Sequence, residues 1–206
     1  MGDDTVRVDN VESSGFLSDY SILERGDEGQ AALVYWNDAV DLSVYDSVLI
    51  ESVTVWLGNG SPMKEVDPEE RQKLANEFHS SIVAALQPAF RITDQPGPRT
   101  MRIRVALTDA QESAPVIDTI STYIPQARLV QSVLSLGSDT AGFVGEASAE
   151  AEVLDAQSNV LLAAGVDRRA GTKALGGGTF SAWGDVRKAF DAWSGQFVRN
   201  LNLRRQ

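Results

Sequence analysis

The 206-residue chain has no cysteine and a single histidine. Without cysteine there is no disulfide, no thiolate metal ligand and no cysteine nucleophile. One histidine excludes HExxH and every other paired-histidine metal site, and a Ser-His-Asp triad would rest on His79 alone. No run approaches the roughly 18 apolar residues of a membrane span. The first residues, Met1-Gly2-Asp3-Asp4, lack the basic and apolar regions of a signal peptide. No Asp-rich calcium loop occurs. With so much chemistry missing, neither an enzyme nor a bound metal or cofactor is expected.

What is present is ordinary for a soluble domain: 43% hydrophobic and 23% charged residues. The net charge of −11 is unevenly spread. Residues 1–70 carry 16 acids and 3 bases, whereas residues 181–206 carry 2 acids and 5 bases. An acidic chain repels phosphate backbones, so nucleic acid is not an expected partner.

Residues 1–30 are acidic and glycine-containing but include Phe16, Leu17, Tyr20 and Leu23. They read as an irregular lead-in that anchors onto the body by those four side chains. Residues 31–206 read as one domain. Ala31 to Trp36 is a short strand. Val44 to Leu57 is rich in β-branched and aromatic residues and reads as one long strand, central around Ser47 to Ile50. Asp67 then caps a helix with Pro68 at its first position and Glu70 three residues after the cap. Leu74, Phe78, Ile82 and Leu86 recur every four residues on one face, and Pro88 closes the helix.

Phe90 to Thr93 and Thr100 to Thr108, joined by Gln95-Pro96-Gly97-Pro98, read as a hairpin. Met101, Ile103, Val105 and Leu107 alternate with Arg102 and Arg104, so one face is buried and the other carries two guanidinium groups. Residues 110–141 give no clear pattern. Gly142 to Leu154 and Val160 to Arg168 read as a second, longer hairpin with one polar face. A second helix begins near Ser181, with Val186, Phe190, Trp193, Phe197 and Leu201 on its apolar face and Trp183 a turn earlier. The fold class is therefore α+β: a two-layer sandwich, a mostly antiparallel mixed sheet with two long helices on one face.

Few residues suggest chemistry. His79 lies beside the apolar face of the first helix and reads as structural. Glu146, Glu150 and Glu152 share one strand face; they read as exposed carboxylates facing Arg or Lys, with a carboxylate-based hydrolase as the remote alternative. Gly165 to Lys173 has the wrong spacing for a phosphate loop. Gly176-Gly177-Gly178 reads as a flexible break. The best candidates for contact with a small anionic or glycan ligand are Trp56, Asn59 in the adjoining Gly-Asn-Gly loop, Arg102 and Arg104.

Three stretches carry a family likeness: SGFLSDY from Ser14 to Tyr20, YDSVLIESVTVW from Tyr45 to Trp56, and FSAWGDVRKAFDAWSGQF from Phe180 to Phe197. Together they resemble a bacterial lipoprotein family called domain of unknown function 3313. The resemblance implies a protein on the periplasmic side of a Gram-negative envelope, with the outer membrane favoured. It would be held by a lipid on a cysteine upstream of Met1. Residues 1–13 would be the tether. The partner would be an envelope protein or component, bound or scaffolded by the domain. The family has no established catalytic residues to transfer.

Overall fold

The computed structural model describes residues 5–9, 11, 13–58, 61–111, 146–171 and 183–206. The unpatterned stretch from residue 112, Asn59, Gly60 and Gly176-Gly177-Gly178 lie outside these. Nine strands are described: β1 (Thr5–Arg7), β2 (Glu24–Arg25), β3 (Leu33–Trp36), β4 (Ser47–Ile50), β5 (Thr54–Val55), β6 (Arg91–Ile92), β7 (Thr100–Gln111), β8 (Glu146–Asp155) and β9 (Leu161–Gly171). Two helices, α1 (Pro68–Leu86) and α2 (Gly184–Arg204), complete the framework. The strand order is β2-β3-β9-β8-β7-β4-β6, with β1 also beside β9 and β5 beside β7.

The long hairpin forms as its alternation predicts. β8 and β9 pair antiparallel around a turn in which Asn159 adopts φ +59°, and β7 pairs antiparallel on the other side of β8. The apolar positions of these strands, including Met101, Ile103, Leu107, Ala149, Val153 and Ala163, point into the core beneath the helices. The two helices cover one face of the sheet, and the α+β sandwich of the sequence reading is the observed one.

Both helices follow their periodicity. The Asp67 carboxylate accepts the Glu69 amide at 2.8 Å, capping α1. Leu74, Phe78, Ile82 and Leu86 are all buried. From α2, Val186, Phe190, Trp193 and Leu201 are buried against them. The Phe78 and Phe190 rings stack at 4.5 Å, with Trp193 tilted against both. His79 is half-buried on α1, one position from this seam.

Two expectations about strands are corrected. Val44 to Leu57 is not one strand. A 3-10 turn at Leu42–Val44 precedes β4, and β5 follows a break. Ile50 pairs with Ile103 and Thr54 with Ala106, so four steps here match three on β7 and one extra residue must bulge out. Nor do residues 90–108 form a hairpin. β6 runs parallel to β4 on one side and β7 runs parallel to it on the other. After α1 the chain returns to the end of the sheet where β4 starts, so a parallel pairing is what it meets first. Residues 93–99 then pass around β4, ending at Arg99, whose carbonyl accepts the Asp46 and Ser47 amides at 3.1 and 3.2 Å.

Tyr45 ties this corner to the hairpin turn: its hydroxyl donates to Asp155 Oδ2 at 2.9 Å. Burial, reinforced by the Asp155 hydrogen bond and charge, pushes the Tyr45 hydroxyl up to about 12 from 10.0. A raised group stabilises the fold fully below its unfolded value and loses that contribution as pH rises through its folded one. The stability advantage of the wild type over Tyr45→Phe is thus expected to shrink between pH 10 and about 12, read by urea denaturation across that range. In the helix seam, Phe190→Ala removes a fully buried ring and is expected to lower unfolding free energy by about 3–5 kcal/mol, measured the same way at neutral pH.

Candidate functional site

The face of the sheet away from the helices is not bare. Residue 11 and residues 13–23 lie across it as a strap. Phe16 and Leu17 are buried there with Ala106 and Val166, and Val11, Tyr20, Leu23 and Leu33 pack around them. The four anchors expected in the lead-in therefore all meet the body. Residues 1–30, read as irregular throughout, also supply two short strands, β1 pairing with β9 and β2 with β3.

Beneath the strap are Glu150 and Glu152, each only 1% exposed. This overturns their reading as an exposed carboxylate face. The reason is geometric. Glu150 is flanked across the sheet by Ala106 and Val166, and Glu152 by Arg104 and Ala164. Ala106 and Ala164 are short and leave room for the strap's backbone to approach the two carboxylates. Glu150 Oε1 accepts the Ser14 amide at 2.8 Å, and Oε2 accepts the Tyr20 hydroxyl at 2.5 Å. Glu152 Oε1 accepts the Ser18 amide at 2.6 Å, and Oε2 accepts Arg104 Nη1 at 2.6 Å. All four oxygens have a donor, which is what makes two adjacent buried carboxylates tolerable. Glu146, at the strand end, is part-buried and paired with Arg168.

Tyr20 organises the strap as well as holding it. Its hydroxyl accepts the Gly15 amide at 2.8 Å and the Leu17 amide at 3.2 Å while donating to Glu150. Burial, then the Glu150 hydrogen bond, raises its pKa. Gly15 has φ +91°, a left-handed conformation that a side chain would strain. The tight loop from Ser14 to Tyr20 thus needs its glycine and its tyrosine together.

Two of the four candidate contact residues, Trp56 and Arg104, meet this strap. Trp56 is 36% exposed, but its indole Nε1 donates to the Ser14 carbonyl at 3.0 Å and its ring meets Phe16 edge-on at 5.7 Å. The Arg104 guanidinium sits over the Phe16 ring, 5.1 Å from its centre. Besides Glu152, it approaches Glu51 at 3.8 Å. Arg102 Nε lies 3.5 Å from Glu51, within ion-pair range but outside hydrogen-bond geometry. Asn59 falls outside the described residues. The two arginines thus face carboxylates of their own chain, as their alternation opposite acidic positions suggested. Sequence reasoning missed Ser14, Ser18 and Tyr20 as polar partners. The available signal was a row of glutamates among alanines on a central strand, opposite arginine; such a row is costly to cover unless something donates to it.

A second polar cluster lies on the helix face. Asp167 and Arg169 on β9 are both 5% exposed by side chain and joined at 3.2 Å. Asp167 also accepts the Ala32 amide at 2.9 Å and the Trp193 indole at 2.8 Å. Arg169 donates to Thr5 Oγ1 at 3.0 Å and Gln196 Oε1 at 2.6 Å. Burial raises the Asp167 pKa against the lowering pull of Arg169 and its donors. The cluster pins β1, the start of β3 and α2 to one strand. Among the described residues, no group of three or more His, Asp or Glu is arranged to hold a metal ion.

The strap makes a direct prediction. Tyr20→Phe leaves a buried Glu150 oxygen and two backbone amides without a partner. It is expected to cost about 1–3 kcal/mol in urea denaturation and to open residues 13–20 to limited proteolysis.

Comparison with known proteins gives a family. No curated protein matches the chain. Among solved structures, a variant PelC dodecamer from Paraburkholderia phytofirmans aligns at a TM-score of 0.42 and 12% identity, covering 79% of this chain and 94% of that one. A second crystal form of the PelC dodecamer gives 0.42 and 11%, covering 79% and 93%. A Xanthomonas campestris protein of family DUF330 gives 0.37 and 11%, covering 81% and 86%. The model of the family described as "Protein of unknown function (DUF3313)" matches residues 12–197, from the strap to α2. The chain belongs to that family.

Proposed function

We propose that this chain is the body of a lipid-anchored protein on the periplasmic side of a bacterial envelope, with the outer membrane favoured. It acts by binding or scaffolding a protein partner or envelope component, without catalysis. The observation that carries the non-catalytic reading is the use of the charged groups. Glu150, Glu152 and Arg104, the groups a reaction centre would recruit, hold the chain's own strap. General acid–base work needs a carboxyl group that can gain and lose a proton toward a substrate, and each oxygen here already faces an internal donor.

The envelope location is supported by the likeness of SGFLSDY and the two further motifs to lipoproteins. The strap fits a tethered body. Residues 13–23 are fixed to the sheet, so a pull from a membrane would fall on the segment before them. A small-anion site at Arg102 and Arg104 has less support, because both face Glu51 and Arg104 is bonded to Glu152.

Expression of the full-length gene product with radiolabelled palmitate tests this reading. The expected outcome is a labelled protein in the outer-membrane fraction that faces the periplasm. An unlabelled protein in the cytosolic fraction overturns it.

A further inference from the structure

The helix layer and the sheet do not close on each other everywhere. Beneath α2, a cavity of about 120 Å³ remains between Trp193 and Phe197 above and the sheet below. Its floor is made of small residues: Ala149 and Ala151 on β8, Ala163 and Gly165 on β9. Alanine and glycine at these positions on β8 and β9 are too short to fill the space that Trp193 and Phe197 leave above them. The cavity is partly open to solvent, so it is an inlet and not only a packing void. None of Trp56, Arg102 and Arg104 lines it; it shares Glu150 with the strap, and that carboxylate is taken up by Ser14 and Tyr20.

The walls are almost wholly apolar, and nearly every polar group at them is already committed. Asp167 takes the Ala32 amide, Trp193 and Arg169. Gln196 accepts from Arg169, and Ser194 is bonded to Ser81. Asn200 donates to the Gly29 carbonyl. The exception is Trp36. Its side chain lines the cavity, yet its indole Nε1 is buried with no hydrogen-bond partner among the described residues. Native proteins rarely leave such a donor unpaired. The Arg204 guanidinium lies 5.1 Å over the same ring.

We infer that this cavity is a binding site for a small amphiphile: a hydrocarbon part of ring or short-acyl size carrying one acceptor oxygen for the Trp36 N–H. The size fits, since an apolar cavity of about 150 Å³ takes up benzene. The chemistry fits too. Apolar walls favour the hydrocarbon, and the unpaired donor selects an acceptor. The inference stands whether or not the protein is anchored to a membrane.

The test uses the full chain with nitrogen-15 label and three probes: benzyl alcohol and hexan-1-ol, which carry an acceptor, and benzene, which does not. The Trp36 indole resonance is assigned as the one missing from Trp36→Phe. Both alcohols are expected to move that resonance saturably, and benzene to bind while moving it least. Which alcohol binds more tightly tells an aryl ligand from an acyl one. Ala151→Leu fills the floor and is expected to weaken binding by at least about tenfold. If Ala151→Leu does not fold, the milder Ala163→Val carries the same expectation. Absence of saturable shifts with all three probes overturns the inference, as does binding unchanged by the folded cavity-filling variant.

Discussion

Two buried carboxylates on one strand, Glu150 and Glu152, set the terms for the far face of this fold. A buried carboxylate without donors is far too costly to persist. These two sit at the centre of a sheet whose neighbouring strands supply one donor, Arg104. The remaining three donors come from residues 14, 18 and 20, so the face and the strap are complete only together. Phe16 and Leu17 add apolar burial, and both Trp56 and Arg104 pack against the Phe16 ring. The sheet thereby has cover on both faces, a helical layer on one and an irregular segment on the other.

The two faces solve the same problem differently. On the helix side, the Asp167–Arg169 pair is also buried, and it too recruits distant elements: Thr5, Ala32, Trp193 and Gln196. Such clusters add little net stability over an apolar core of equal volume, because removing charge from water is expensive. What they contribute is register. An apolar contact tolerates a shifted strand, whereas a carboxylate that must meet an indole and an amide at 2.8 and 2.9 Å does not. In a sheet whose central strands carry many alanines, that constraint has particular value.

Elements governed by local periodicity were legible in the sequence. Leu74, Phe78, Ile82 and Leu86 declared α1, and Val186, Phe190 and Trp193 declared α2, because a helix's buried face is written at fixed spacing. The alternation of β7, β8 and β9 was equally plain. Pairing partners were not. Whether residues 91–92 join β7 or β4 depends on where α1 delivers the chain, which no local pattern records. The glutamates were misread for a similar reason. Alternation puts Glu150 and Glu152 on the face opposite Ala149 and Val153 but says nothing of what comes to rest on that face. The anchors Phe16, Leu17, Tyr20 and Leu23 were visible as apolar residues in a polar stretch; their target was not. Of the candidates for ligand contact, Trp56 and Arg104 meet the chain's own strap, a neighbour that no local pattern announced.

The strap's hydrogen bonds join residues 130 to 136 positions apart. Synthesis delivers Ser14 to Tyr20 first, yet the carboxylates that receive them arrive only with β8. Contacts of such long sequence separation form late, since a large loop must close before they yield anything. The strap is therefore made before the strand that receives it and docks only once that strand is in place, so a docked strap implies a completed sheet beneath it.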